Sequence, residues 1–141
     1  MWLRVVASAG ATGILLEKMA ILVVEDEILV SFELEDALEG AGFRVDLARN
    51  GQEAIDRLEN DGGRFSAVVT DIRLGQGPSG WKVADRAREL RPDIPVIYIT
   101  GDSGHEWEAK GVRDSAFLQK PFMHDELMFA VASLLNDQSS A

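Results

Sequence analysis

The sequence predicts an α/β fold in which helices cover both faces of a doubly wound, five-stranded parallel sheet. From Ala20 onward, short apolar runs alternate with helical patterns at a regular spacing, the mark of stacked βαβ units. The first, third and fourth runs are nearly continuous in apolar residues, as central strands covered on both faces require. A chain of 141 residues holds one such domain and not two large ones.

Each element has its own local reason. Ile21-Leu22-Val23-Val24 reads as the first buried strand. Val30, Leu34, Ala37, Leu38 and Ala41 then mark one face of a helix, and Gly42 is placed to end it with a left-handed cap. Phe43-Arg44-Val45-Asp46-Leu47 alternates in character like an edge strand. Asn50-Gly51-Gln52-Glu53 has the spacing of a capping box and opens the second helix, which Asp61-Gly62-Gly63 closes. Ala67-Val68-Val69 is the third strand; a helix over residues 81–91 follows and is stopped by Pro92. Ile94-Pro95-Val96-Ile97-Tyr98-Ile99 is the fourth strand, residues 105–111 a short helix and Ala116-Phe117-Leu118 the fifth strand. The last helix covers residues 123–136, with Leu127, Ala130, Val131 and Leu134 on its buried stripe, and residues 137–141 are a polar tail. Met128, Ala132 and Leu135 form a second apolar stripe, which either faces a partner or widens the core face.

The N-terminal stretch is read separately. Arg4 precedes an apolar, small-residue run that imitates a signal peptide, but Val5 to Leu16 is too short to span a bilayer. Met19 stands directly before the first strand. It is taken as the natural start, with residues 1–18 an upstream extension and residues 19–136 the domain; a cleaved signal or an extra helix is the alternative.

Composition narrows the function classes. With 46% hydrophobic and 27% charged residues the chain is neither disordered nor fibrous. Lys and Arg total 14 against 24 Asp and Glu, a net charge of -10, which repels nucleic-acid phosphates and anionic lipid. No direct nucleic-acid or membrane partner is expected. The absence of cysteine excludes disulfides, thiolate metal sites and a cysteine nucleophile, and fits a cytoplasmic location.

Ligands of an open parallel sheet bind beyond the carboxyl ends of its strands. There the first strand ends in Glu25-Asp26-Glu27, the third in Asp71, the fourth in Thr100 and the fifth in Lys120-Pro121. Each has a plain alternative: the acids could favour a helix N-terminus, Asp71 could cap a turn, Thr100 could make a hydroxyl turn and Lys120 could be a solvated charge. Four strand ends each carrying a residue type suited to phosphoryl chemistry outweigh those separate readings. Unit charges about 4 Å apart repel by roughly 4 kcal/mol at an effective dielectric near 20, so Asp26 and Asp71 in one crevice imply a cation. Oxygen ligands at an open site favour magnesium, while His105 and His124 lack a zinc spacing.

Ile21-Leu22-Val23-Val24-Glu25-Asp26-Glu27, Val68-Val69-Thr70-Asp71, Pro95-Val96-Ile97-Tyr98-Ile99-Thr100 and Phe117-Leu118-Gln119-Lys120-Pro121-Phe122 together resemble the receiver domain of two-component response regulators. The resemblance covers residues 20–136 and implies a flavodoxin-like fold with strand order 2-1-3-4-5. It implies that Asp71 is the phosphoacceptor and takes a phosphoryl group from a sensor histidine kinase or a histidine phosphotransfer protein. Asp26, Asp71 and the backbone carbonyl of Arg73 would hold magnesium, with Glu25 acting through a metal-bound water. Lys120 would pair with the phosphoryl oxygens, Thr100 would move inward to them, and Phe117 would fill the space Thr100 leaves. A cis peptide before Pro121 is implied as well.

Three departures stand out. Glu25 occupies a position where Asp is usual. The loop from Ile72 to Gly80 is one residue longer than the common pattern, with its proline displaced to Pro78, which leaves its conformation open. Phe117 replaces a common tyrosine and has no hydroxyl to donate.

The reading is a non-enzymatic, single-domain receiver that signals to a downstream protein by contact. Its output face is expected on the fourth helix, fifth strand and fifth helix, where it meets a partner or a second copy. A phosphorelay intermediate or the receiver of a hybrid histidine kinase is the alternative of the same fold. A magnesium-dependent phosphatase of the haloacid dehalogenase type is the alternative of another class, although it expects a second Asp where Arg73 or Ile28 stands. A flavin- or small-molecule-binding module is disfavoured by the acids where a cofactor phosphate would lie. Because the sheet pattern begins at Ile21, a chain starting at Met19 should melt within a few degrees of the full chain in a calorimetric scan.

Overall fold

The continuous apolar runs of the three central strands are each paired on both sides, and the computed structural model describes residues 19–102 and 104–140. The expected extension at residues 1–18 lies outside the described residues. In chain order the elements are β1 (Ala20–Val24), α1 (Ile28–Gly40), β2 (Arg44–Ala48), α2 (Gly51–Asp61), β3 (Phe65–Asp71), α3 (Gly80–Leu90), β4 (Val96–Thr100), α4 (Trp107–Lys110), β5 (Ala116–Gln119) and α5 (His124–Ser140). Single 3-10 turns at Gly62–Arg64 and Gly104–Glu106 lead into β3 and α4. The sheet is parallel throughout, in the order β2-β1-β3-β4-β5. This is the expected topology, with β2 at an edge as its alternating sequence required.

Side chains alternate across the pleat and so build two cores. Leu22, Val24, Val68, Val96 and Tyr98 meet Ala54 and Leu58 of α2 and Val83, Ala84 and Ala87 of α3. Ile21, Val23, Val69, Ile97 and Ile99 meet Leu34 and Leu38 of α1 and Leu127 and Val131 of α5. Burying each large aliphatic side chain is worth roughly 1.5–3 kcal/mol, more than the roughly 1 kcal/mol of a typical cap. The packed strands therefore set the positions of their ends.

The caps refine the helix limits. Gly42, at φ 102, follows α1 and donates its N–H to the Glu39 carbonyl, while Phe43 donates to Leu38; these two bonds make a Schellman motif. The Asn50 side chain accepts the Glu53 N–H at 2.8 Å, and Glu53 reaches back to the Arg49 N–H at 2.6 Å, one residue earlier than a standard capping box. The third helix begins at Gly80 rather than residue 81, with Ser79 accepting the Lys82 N–H at 3.4 Å. The fourth strand begins at Val96, not Ile94, because Pro95 has no N–H to donate; its carbonyl accepts from Val68. The fifth helix runs on to Ser140, correcting the expected end at Asn136, since no glycine or proline follows Asn136 to stop it. Met128 and Leu135 pack against the α1 and α5 core while Ala132 is exposed, so the second stripe mostly widens the core face.

The longer loop after β3 has a defined path. It turns at Gly75 and Gly77, both at positive φ, and buries Ile72 and Leu74. A Cβ on Gly80 would lie 2.0 Å from the Asp71 carbonyl oxygen, and one on Gly51 would lie 2.2 Å from that of Pro78. Glycine at these positions lets the start of α3 seat on the end of β3 and the displaced proline seat on the start of α2. Gly80→Ala should cost at least roughly 1–3 kcal/mol in a urea titration and move the Asp71 backbone.

Candidate functional site

The register brings four strand ends level. Val24 pairs with Thr70, Asp71 with Ile99, and Thr100 with Gln119, so Glu25, Asp71, Thr100 and Lys120 emerge on one edge. Glu25, Asp71 and Thr100 are buried, Asp26 and Glu27 exposed. One carboxylate oxygen from each of Glu25, Asp26 and Asp71 lies within 4.8 Å of the others.

Lys120 joins the cluster from β5. Its Nζ is 2.9 Å from Asp71 Oδ2, 3.2 Å from Glu25 Oε1 and 2.7 Å from Glu27 Oε1. The pairs with Asp71 and Glu27 are hydrogen bonds. That with Glu25 is not aligned as one, so the buried Glu25 Oε1 has no hydrogen-bond partner. The other Glu25 oxygen accepts the Glu27 N–H at 3.0 Å. Asp71 Oδ1 accepts the Arg73 N–H at 3.2 Å, and the Arg73 guanidinium reaches Asp102 at 2.9 Å across the edge. Thr100 Oγ1 accepts the Asp102 N–H at 3.1 Å. The peptide between Lys120 and Pro121 is cis.

The electrostatics follow from burial. Loss of water pushes the Glu25 carboxyl up to about 7; the Glu27 N–H opposes the rise and the Asp71 charge adds to it. Burial works to lower the Lys120 ammonium, but its hydrogen bonds to Glu27 and Asp71 outweigh that and hold it above its ordinary range. Oxygen donors at close range, one of them buried without a hydrogen bond, suit a hard divalent ion such as magnesium, and the residues present fit it.

Phe117 sits apart from this cluster. It is half-buried, its ring 5.5 Å from that of Trp107 and packed so closely on Gly104 that a Cβ there would lie 2.4 Å from it. Glu27 is the residue to which the sequence assigns no separate role at the site. The run of three acids at the end of β1 was its only signal, and the contact with Lys120 depends on the fold.

A family model described as the response regulator receiver domain matches residues 21–132. The chain belongs to that family, a signalling domain of two-component systems. It is 33% identical over 117 residues to the response regulator receiver protein CpdR of Brucella abortus, covering 82% of this chain and 95% of that protein. It is 32% identical over 117 residues to the response regulator MprA of Mycolicibacterium vanbaalenii, covering 82% of this chain but 49% of the relative. The chain thus spans about half the length of MprA. Among solved structures, a response regulator receiver protein from Sinorhizobium medicae WSM419 superposes with a TM-score of 0.82 at 43% identity, covering 86% of this chain and 97% of the other. The receiver domain of the sensor histidine kinase PA1611 from Pseudomonas aeruginosa PAO1, which has a magnesium ion coordinated in its active site cleft, superposes at 0.73 and 25% identity, covering 84% and 98%. Nothing in these comparisons supports the haloacid dehalogenase alternative. Among the described residues no helix is long and apolar enough to cross a membrane.

A carboxyl whose folded pKa lies above its unfolded value stabilises the fold at low pH and loses that contribution as pH rises. For Glu25 the window runs from 4.5 to about 7. Metal-free protein should therefore lose melting temperature across that window, and Glu25→Gln should flatten the slope in thermal scans over a pH series.

Proposed function

We propose that Asp71 accepts a phosphoryl group from the phosphohistidine of a sensor histidine kinase or a histidine phosphotransfer protein, and that the phosphorylated domain signals to a downstream protein by contact. The observation that carries this reading is Asp71 itself, buried at the centre of the edge with one oxygen on Lys120 and the other on the Arg73 N–H. A carboxylate oxygen of Asp71 attacks phosphorus, an O–P bond forms as the N–P bond of the donor breaks, and the electron pair returns to the imidazole nitrogen. Lys120 balances charge on the phosphoryl oxygens, and Thr100 donates its hydroxyl to them. Asp26, Asp71 and the Arg73 carbonyl would hold magnesium, with Glu25 reaching it through a water. When bound, that ion neutralises charge between the acceptor and the phosphoryl oxygens.

Downstream of the site, Thr100 and Phe117 couple it to the outer edge of the sheet. A groove of about 490 Å³ there is lined by Phe117, Leu118, Phe129 and Leu134 among others, with Phe129 75% exposed. This supports the β5 and α5 part of the output face, for a partner or a second copy, and α4 adjoins it through the Trp107 ring on Phe117. Similarity to the PA1611 receiver favours, as a second reading, a receiver that works within a phosphorelay or a hybrid kinase.

Incubation with acetyl phosphate and magnesium should add one phosphoryl group in an intact-mass spectrum of the wild type. Asp71→Asn, or removal of the divalent ion, should abolish it; a mass shift that persists in either would place the acceptor elsewhere.

A further inference from the structure

We propose that Glu27 holds Lys120 in the resting state and is displaced from it by the incoming phosphoryl group, so that this ion pair sets how readily the site takes an anion. The inference rests on the phosphoacceptor reading of Asp71.

The ammonium of Lys120 has three hydrogens, and three carboxylates stand within 3.2 Å of it. Glu27 is the nearest at 2.7 Å. It is also the one free to leave: its side chain is 61% exposed, against 7% for Asp71 and 0% for Glu25. Asp71 and Glu25 are fixed by buried strand ends, whereas Glu27 can turn into water without moving the backbone.

The position of Glu27 gives its side chain a second place to go. It is the N-cap residue of α1, in extended backbone geometry, yet its side chain makes no cap bond. The first N–H groups of a helix lack partners within the helix, and the helix dipole favours a negative charge beside them. Here it reaches instead to Lys120, 93 residues on in the chain. The cap is forgone while the pair with Lys120 stands.

A phosphoryl group on Asp71 brings new oxygen acceptors and about two negative charges to the same ammonium. Glu27 then faces a like charge and competes for the same hydrogens. Being exposed, it yields. Its carboxylate is released to the N–H groups of Leu29 and Val30 in the first turn of α1, a turn that presents Ile28 and Leu29 to solvent. Occupancy of Lys120 is in this way passed to α1.

The test is titration of the full chain with beryllofluoride and magnesium, read by amide nuclear magnetic resonance, for wild type, Glu27→Gln and Glu27→Ala. Glu27→Gln should bind about threefold more tightly or better, the scale of an exposed ion pair. In the wild type the Leu29 and Val30 amides should shift on binding, and in Glu27→Ala, which has no carboxylate to release, that shift should be lost. Equal or weaker binding by Glu27→Gln, or the same Leu29 and Val30 shifts in Glu27→Ala, overturns the proposal. A gain in affinity cannot come from a damaged fold. If the wild type itself binds no beryllofluoride, the phosphoacceptor reading of Asp71 falls, and this inference with it.

Discussion

A single ammonium among carboxylates organises the functional edge of this receiver domain. Asp71, Glu25 and Glu27 converge on Lys120 Nζ, and without that charge the acids would repel one another by several kcal/mol at these separations. Lys120 is itself largely withdrawn from water, with a side chain 17% exposed. Its hydrogen bonds to carboxylates offset that burial and keep it charged. The parallel sheet exists, in functional terms, to hold the two sides of this arrangement level: acids from β1 and β3, the cation from β5.

Rigidity behind the edge comes from packing on both faces. Tyr98 illustrates it. Its ring lies 4.9 Å from that of Trp81, its hydroxyl accepts the Val112 N–H at 3.0 Å, and it pairs in register with Phe117 on β5. The loop after β3 is constrained in turn by the approach of Gly80 to Asp71 and of Gly51 to Pro78, and it turns at Gly75 and Gly77 between those two anchors.

The substitution of Glu25 for the usual Asp has a physical counterpart in the site. The longer side chain reaches a place where one oxygen is satisfied by the Glu27 N–H and the other lies buried without a hydrogen bond. Lys120 Nζ, 3.2 Å from that oxygen, supplies a charge partner, and the hydrogen bond left unmade is the cost of the burial. Phe117, lacking a hydroxyl, makes its contacts through its ring, on Gly104 and Trp107.

Much of this molecule was legible in its residues because the signals are local. Continuous apolar runs marked β1, β3 and β4 as central, the alternation of β2 marked an edge, and Gly42 and Asn50 marked a helix end and a helix start through bonds spanning a few residues. The candidate residues Asp26, Asp71, Thr100 and Lys120 were legible because strand ends in a parallel sheet share one edge. What only the tertiary structure decided are contacts between different elements: the seat of Pro78 on Gly51, the packing of Phe117 on Trp107, and the reach of Glu27 to Lys120 in place of the helix it precedes. Neither propensity nor periodicity carries a distance across 93 residues; that distance is set when the two cores close on the sheet and bring β1 and β5 to their common edge.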